Sequence, residues 1–175
     1  MRAAWYEHRG PARETLVVGE MPDPQPGPGE VRIAVSVSGL SPGDIKKRGG
    51  WQGSPMAYPR IIPHSDGAGV IDAVGDGVDK QRVGRAVWCY GAQSYRPFGT
   101  AADFVVVPAQ LAVDLPAVDD ETTARRLAEQ GSCQGDRGDH GLPSGVRRWT
   151  GSRTHRLGAR RGRWRGIYRD ADGRS

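Results

Sequence analysis

The clearest hydrophobic pattern in the chain is the alternation in EVRIAVSVSGL, residues 30–40. Val31, Ile33, Val35 and Val37 share one face of an extended strand, and Arg, Ala and Ser residues occupy the positions between them. This period of two predicts a half-buried strand that turns its valine and isoleucine side chains towards the core.

Five further apolar runs, most of them bounded by glycine or proline, also predict strands: MRAAWY, ETLVVGEM, AGVIDAVGDGV, GRAVWCYG and TAADFVVVPA. The segment SPGDIKKRGG predicts a short helical turn, with Ser41 as a possible cap, Pro42 at its first position and Gly49–Gly50 at its end. DPQPGPGE is a connector, WQGSPMAYPRIIP is an irregular loop, and the frequent glycines favour a small, curled barrel. The pattern therefore predicts a mainly β domain with short helical turns.

The character of the sequence changes after about Leu127. Residues 121–175 hold few aliphatic residues and show no period of 2 or 3.6, so they cannot bury enough apolar surface to offset the chain entropy lost on folding. We expect residues 1–120 to form the domain and residues 121–175 to form an irregular or disordered, arginine-rich tail.

The formal net charge of +5 is an average over these two unlike parts. Residues 1–120 carry 12 Lys and Arg against 14 Asp and Glu, whereas residues 121–175 carry 13 Arg, no Lys and 6 acidic residues. The basic character therefore belongs to the tail. Two cysteines, no apolar leader and no apolar run of about 18 residues predict a cytoplasmic protein without a membrane span.

Candidate chemistry in the domain is confined to GLSPGDIKKRGG and YPRIIPHSDGAGVI. Asp44, His64, Ser65 and Asp66 could make a catalytic or metal site, but single His and Asp residues in glycine-rich loops more often stabilise turns. Their spacing also matches no common zinc motif.

The order of these segments adds a resemblance. The runs PGPGEVRIAVSVSGLSPGDIKKRGG, YPRIIPHSDGAGVIDAVGDGV, VGRAVWCYG and FGTAADFVVVPAQLAVDLP, in this order over about two-thirds of the chain, resemble the N-terminal, GroES-like domain of the medium-chain dehydrogenase/reductase superfamily. Within it they are most similar to the zinc-free, NADPH-dependent quinone oxidoreductases. The resemblance implies a GroES-like, partly open β-barrel, and it implies hydride transfer from NADPH to a quinone, enone or other carbonyl in complete relatives.

The resemblance also assigns site residues. Ser41 stands where zinc alcohol dehydrogenases have a cysteine ligand and where quinone reductases commonly have asparagine near the nicotinamide; Asp44 keeps the family's aspartate. His64 falls one position before the family's zinc-binding histidine, so the resemblance implies no zinc. Asp44 fits a turn-fixing role as well as a catalytic one. Lys46 and Arg48 lie where relatives contact cofactor phosphates, although a solvated helix face would explain them equally well. Asp66 and the glycines after it are expected to form the bend into the next strand.

The Rossmann domain that follows in the family is not legible here, because no G-x-G-x-x-G follows an apolar strand. Reading each tail codon from its second base forces glycine at Trp149-Thr150 and at Trp164-Arg165, and it permits an apolar strand before a glycine turn. The hypothesis is that a frameshift between about residues 121 and 137 replaced that domain, which leaves a truncated, inactive oxidoreductase that does not bind NADPH stably.

The sequence also allows two other functions. The stretch RRWTGSRTHRLGARRGRWRG, residues 147–166, offers arginines for phosphates and tryptophans for base stacking, so the tail could bind nucleic acid or another polyanion. The domain in front is slightly acidic, and such binding is expected to be adventitious. A structural remnant that associates through its exposed sister-domain surface, as a homo-oligomer, is the third possibility.

Overall fold

The computed structural model describes residues 1–50, 53 and 55–116, together with the backbone of Val146–Arg147. The predicted disorder of the rest of the tail lies outside the described residues. Neither helix in the described part of the chain is long and apolar enough to cross a membrane.

The described residues form eight strands and two short helices. In chain order these are β1 (Arg2–Trp5), α1 (Ala12–Thr15), β2 (Val17–Glu20), β3 (Glu30–Gly39), α2 (Pro42–Gly49), β4 (Asp66–Val74), β5 (Ala86–Cys89), β6 (Phe104–Pro108), β7 (Ala112–Asp114) and β8 (Val146–Arg147). Short 3₁₀ turns lie at Lys80–Arg82 and Ala109–Leu111.

The main sheet has the strand order β6-β3-β4-β5-β7, and β8 pairs with β3 beside that path. Each of its pairings is antiparallel. The β1–β2 hairpin attaches through a hydrogen bond of 2.8 Å from the Ala4 amide to the Ala101 carbonyl. This mainly β, curled sheet confirms the predicted fold class.

The main core lies inside the curl of this sheet. Its buried members are valine, isoleucine, alanine and cysteine side chains from β3 to β7, at Val31, Ile33, Ile71, Val87, Cys89, Ala92, Val105, Val107 and Ala112. A second cluster joins β1 to the segment around Ala101, and a third contains Val37 and Ala68 with Trp88 and Leu115 packed against them. Val37 thus lies apart from Val31 and Ile33, although the alternation placed all three on one face.

Glycine allows β3 and β4 to approach closely. A Cβ atom at Gly69 would lie 2.0 Å from the Ala34 carbonyl oxygen, and real Cβ atoms do not come so close to another atom. Gly67 and Gly69 lie in β4, which already begins at Asp66 opposite Gly39. The expectation that Asp66 and the glycines form a bend before the strand was therefore wrong.

The helices agree with the sequence in part. α2 begins after Ser41, has Pro42 in its first turn and ends at Gly50, whose φ of 80° is left-handed. α1 is a single turn that the sequence did not indicate, and it delays the start of β2 from the predicted Glu14 to Val17. β7 was also not predicted.

Candidate functional site

The candidate site begins at a bulge in β3. Val35 pairs with Gly69 and Val37 pairs with Ala68, so Ser36 has no partner of its own on β4. A residue inserted in this way reverses the face on which the following side chains lie. Ser38, which the alternation placed on the outer face, is therefore buried at 6% exposure.

Ser38 is the centre of a chain of hydrogen bonds. Its Oγ lies 2.7 Å from Nδ1 of His64 and 2.9 Å from Oγ1 of Thr100, and Thr100 Oγ1 lies 2.6 Å from the Asp66 carbonyl oxygen. The chain joins β3, the residues before β4 and the residues before β6.

The hydrogen atoms in this series of hydrogen bonds have only one consistent arrangement. The Asp66 carbonyl can only accept, so the single hydroxyl hydrogen of Thr100 points to it. The Ser38 hydroxyl must then donate to Thr100, which leaves the Ser38 oxygen to accept from His64. We conclude that His64 carries a hydrogen on Nδ1.

The environment of His64 favours its neutral form. Its backbone has a φ of 75°, a left-handed conformation that is uncommon for a residue other than glycine. Burial lowers the pKa of His64 below its ordinary value of 6.5, and the negative charge of Asp44 opposes that shift. A neutral His64 with its hydrogen on Nδ1 has an unprotonated Nε2, which is the form of a general base.

Ser41 and Asp44 lie together at the start of α2. The Ser41 amide donates to Oδ2 of Asp44 at 2.8 Å, and the Asp44 amide donates to the Ser41 carbonyl at 3.1 Å. Asp44 thus caps the helix, as its turn-fixing interpretation predicted. Asp44 is only 5% exposed, and its Oδ1 is buried without a hydrogen-bond partner. Burial raises the pKa of Tyr6, and the negative charge of Asp44 raises it further.

The three cationic side chains of α2 have different surroundings. Lys46 is exposed. Arg48 donates through Nη1 to the Gly10 carbonyl at 2.5 Å, and so ties α2 to the loop before α1. Lys47, which the sequence did not single out, donates to Oε1 of the buried Gln93 at 2.9 Å. Arg48 therefore has a structural task in this domain.

The four residues that the sequence grouped as a candidate site do not all act together in the structure. They are Asp44, His64, Ser65 and Asp66. Asp44 lies near enough to His64 to act on its pKa, whereas Asp66 acts on Cys89, whose pKa burial and that carboxylate raise to about 12. The Ser65 carbonyl accepts from the Ala92 amide at 2.7 Å. Among the described residues, no group of three or more His, Cys, Asp or Glu could hold a metal ion.

Residues 27–117 match the model of the alcohol dehydrogenase GroES-like domain, more than half of the chain. The chain belongs to this family. This match confirms the resemblance to the N-terminal, GroES-like domain of the medium-chain dehydrogenases/reductases, and quinone oxidoreductases are among the relatives.

Several relatives are similar to part of this chain. The starvation-sensing protein RspB of Escherichia coli is 36% identical over an alignment of 124 positions, which covers 58% of this chain and 36% of RspB. The quinone oxidoreductase of Rattus norvegicus is 36% identical over 87 residues, 49% of this chain and 26% of that enzyme. A mycobacterial protein solved with NADPH superimposes with a TM-score of 0.60 at 28% identity, over 76% of this chain and 37% of that protein. The chain thus matches between 26% and 37% of the length of these relatives.

The described domain does not itself fit a dinucleotide. Dinucleotides bind at the carboxyl ends of parallel strands, beside a glycine-rich turn that opens a helix. The main sheet here is antiparallel, and Arg48, one of the two cations proposed for cofactor phosphates, already bonds to Gly10.

Sequence reasoning did not identify Ser38 and Thr100. Neither belongs to a motif, and the alternation assigned Ser38 to the outer face of β3. The sequence places Thr100 only at the start of the predicted strand TAADFVVVPA. The one available signal was His64 itself, a histidine that follows proline at a turn and precedes a strand.

Proposed function

We propose that residues 1–120 are the substrate-side domain of an oxidoreductase that acts on a quinone, enone or other small carbonyl compound. The observation that carries this proposal is the match of residues 27–117 to the GroES-like domain, joined to similarity with a quinone oxidoreductase. In complete relatives of this type NADPH supplies the hydride.

In this proposal the loop from Ser41 to Asp44 lies beside the nicotinamide, and Ser41 takes the place of the family's asparagine. Asp44 holds the loop by its hydrogen bond to the Ser41 amide. Lys46, which is exposed, contributes positive charge towards the cofactor phosphates. Arg48 acts mainly by holding α2 against the loop at Gly10.

We further propose that the 175-residue chain has no quinone reductase activity of its own. The described sheet offers no dinucleotide site, and the printed sequence holds no G-x-G-x-x-G after an apolar strand. The frameshift hypothesis accounts for this, and residues 121–137 lie outside the described residues. Retranslation of the gene tests it: a Rossmann strand and glycine turn are expected in a shifted frame, and their absence from every frame would refute the frameshift.

Activity is tested by joining residues 1–116 to the Rossmann domain of the rat quinone oxidoreductase. The chimera should oxidise NADPH with a small quinone, and the 175-residue chain should not. The matched control is the same chimera with Asp44→Ala, which loses the contact that holds the Ser41 loop and should be slower. Turnover by the 175-residue chain would refute the proposed inactivity, and a folded chimera that binds NADPH but reduces no quinone would contradict the proposed substrate class.

A further inference from the structure

Part of one edge of β3 is left open by the main sheet. On one side, β4 pairs with β3 from Val31 to Gly39. On the other side, β6 pairs only from Glu30 to Ala34, and the Val35 amide then donates to the Asp103 carbonyl at 2.8 Å. Among the described residues up to Pro116, no strand lies against the far side of β3 beyond this point.

In the whole chain, with Val146–Arg147 in place, the residues of this edge are buried. Val37 and Ser38 are 5% and 6% exposed, and Gly39 is also buried. Backbone N–H and C=O groups that are withdrawn from water without a partner cost about 1–3 kcal/mol each. A segment that pairs with this edge therefore stabilises it by giving these backbone groups hydrogen-bond partners.

The chain itself supplies such a segment. Val146–Arg147 forms β8, which lies antiparallel to β3 with Ser38 opposite Arg147 and Gly39 opposite Val146. The 29 residues between Pro116 and Val146 can reach up to roughly 95 Å, at about 3.3 Å per extended residue, so the connection permits this pairing. Valine is also among the residue types enriched in strands.

We propose that the edge of β3 at Val37–Gly39 is a strand-addition surface, and that its occupant is this chain's own segment at Val146–Arg147. The added strand holds the backbone of Ser38 from the side opposite β4. It thereby fixes the hydroxyl that joins His64 to Thr100. The proposal concerns the 175-residue chain and does not depend on the proposed oxidoreductase activity.

Amide hydrogen exchange on the full chain tests this surface. The double variant Val146→Pro/Arg147→Pro removes both N–H groups of β8, whichever of them faces β3. The matched control is Ala159→Pro/Arg160→Pro, which places two prolines in the same tail and also removes one aliphatic residue and one arginine.

The variant should exchange the amide at Ser38 or Gly39 about five- to tenfold faster than the natural chain, which is the effect of losing roughly one hydrogen bond. The control should match the natural chain. Slow exchange at Val31 and Ile33 reports that the domain remains folded in both. Equal exchange at Ser38 and Gly39 in the variant, the control and the natural chain would overturn the proposal.

Two further results of the exchange experiment also bear on the proposal. If protection of Ser38 and Gly39 rises with protein concentration, the occupant is a second copy, and the proposed intramolecular pairing is wrong. If the double variant loses slow exchange at Val31 and Ile33, the single variants Val146→Pro and Arg147→Pro replace it. One of these removes the N–H that faces β3, and faster exchange in neither would overturn the proposal.

Discussion

Ser38→Ala is the substitution that tests the hydrogen-bond chain most directly. It removes one oxygen atom from a side chain that is 6% exposed, and it leaves the backbone of β3 unchanged. The Thr100 hydroxyl keeps its bond to the Asp66 carbonyl. His64, however, loses the acceptor that lies 2.7 Å from its Nδ1.

The magnitude follows from what is left unpaired. An N–H group that is buried without an acceptor costs about 1–3 kcal/mol, whereas the cavity left by one hydroxyl is small. His64 can relieve this cost by moving its hydrogen to Nε2, so the loss of stability should stay within that range and be accompanied by a change of tautomer. We expect the free energy of unfolding to fall by about 1–3 kcal/mol.

The matched control is Ser36→Ala, in the same strand and two residues earlier. Ser36 is the bulge residue and is exposed, so its substitution should change the free energy of unfolding by less than about 0.5 kcal/mol. Urea unfolding measures both values, and the nitrogen chemical shifts of His64 report its tautomer in the folded protein. If Ser38→Ala costs no more than Ser36→Ala and the His64 tautomer is unchanged, the assigned chain of donors is wrong.

Three further predictions concern the close strand contact and the charge near His64. Gly69→Ala should lower the free energy of unfolding by about 3 kcal/mol, because its Cβ would lie 2.0 Å from the Ala34 oxygen. The control Gly49→Ala, which has open space at the end of α2, should be neutral or stabilising, and equal effects of the two substitutions in urea unfolding would contradict this. Asp44→Asn should lower the pKa of His64 measured by NMR, because it removes the negative charge that raises it, and an unchanged or higher pKa would count against the pair. Since the folded-state pKa of His64 lies below 6.5, the unfolded chain binds the proton more tightly, and stability should fall by up to about 1.4 kcal/mol per pH unit as the pH drops below 6.5; His64→Gln should lack this component, and an equal acid loss in both proteins would refute it.

Much of the fold was legible because its elements follow local rules. Alternating apolar residues predicted β3, and Pro42 with Gly49–Gly50 predicted α2 to within a residue. The single turn α1 escaped prediction because four residues are too few to show a helical period. β7 escaped for the same reason, since three residues cannot show alternation.

The site was less legible because it depends on contacts between distant parts of the chain. Asp44 could be assigned to a turn from its place in a short motif, since its partner Ser41 lies only three residues away. The partners of Ser38 lie 26 and 62 residues away, at His64 and Thr100, and no local pattern connects them.

The bulge in β3 explains why the alternation was correct at one end of the strand and wrong at the other. Before Ser36, alternate residues such as Val31 and Ile33 enter the main core, as a period of two requires. After it, Val37 packs on the opposite face against Ala68, and a polar side chain enters the interior instead. A buried hydroxyl is unfavourable unless it is hydrogen-bonded, so the reversal is stable only because His64 and Thr100 are present to meet Ser38. The bulge and the hydrogen-bond chain therefore depend on each other, and the end of β3 that this reversal creates is also the end whose open edge accepts β8.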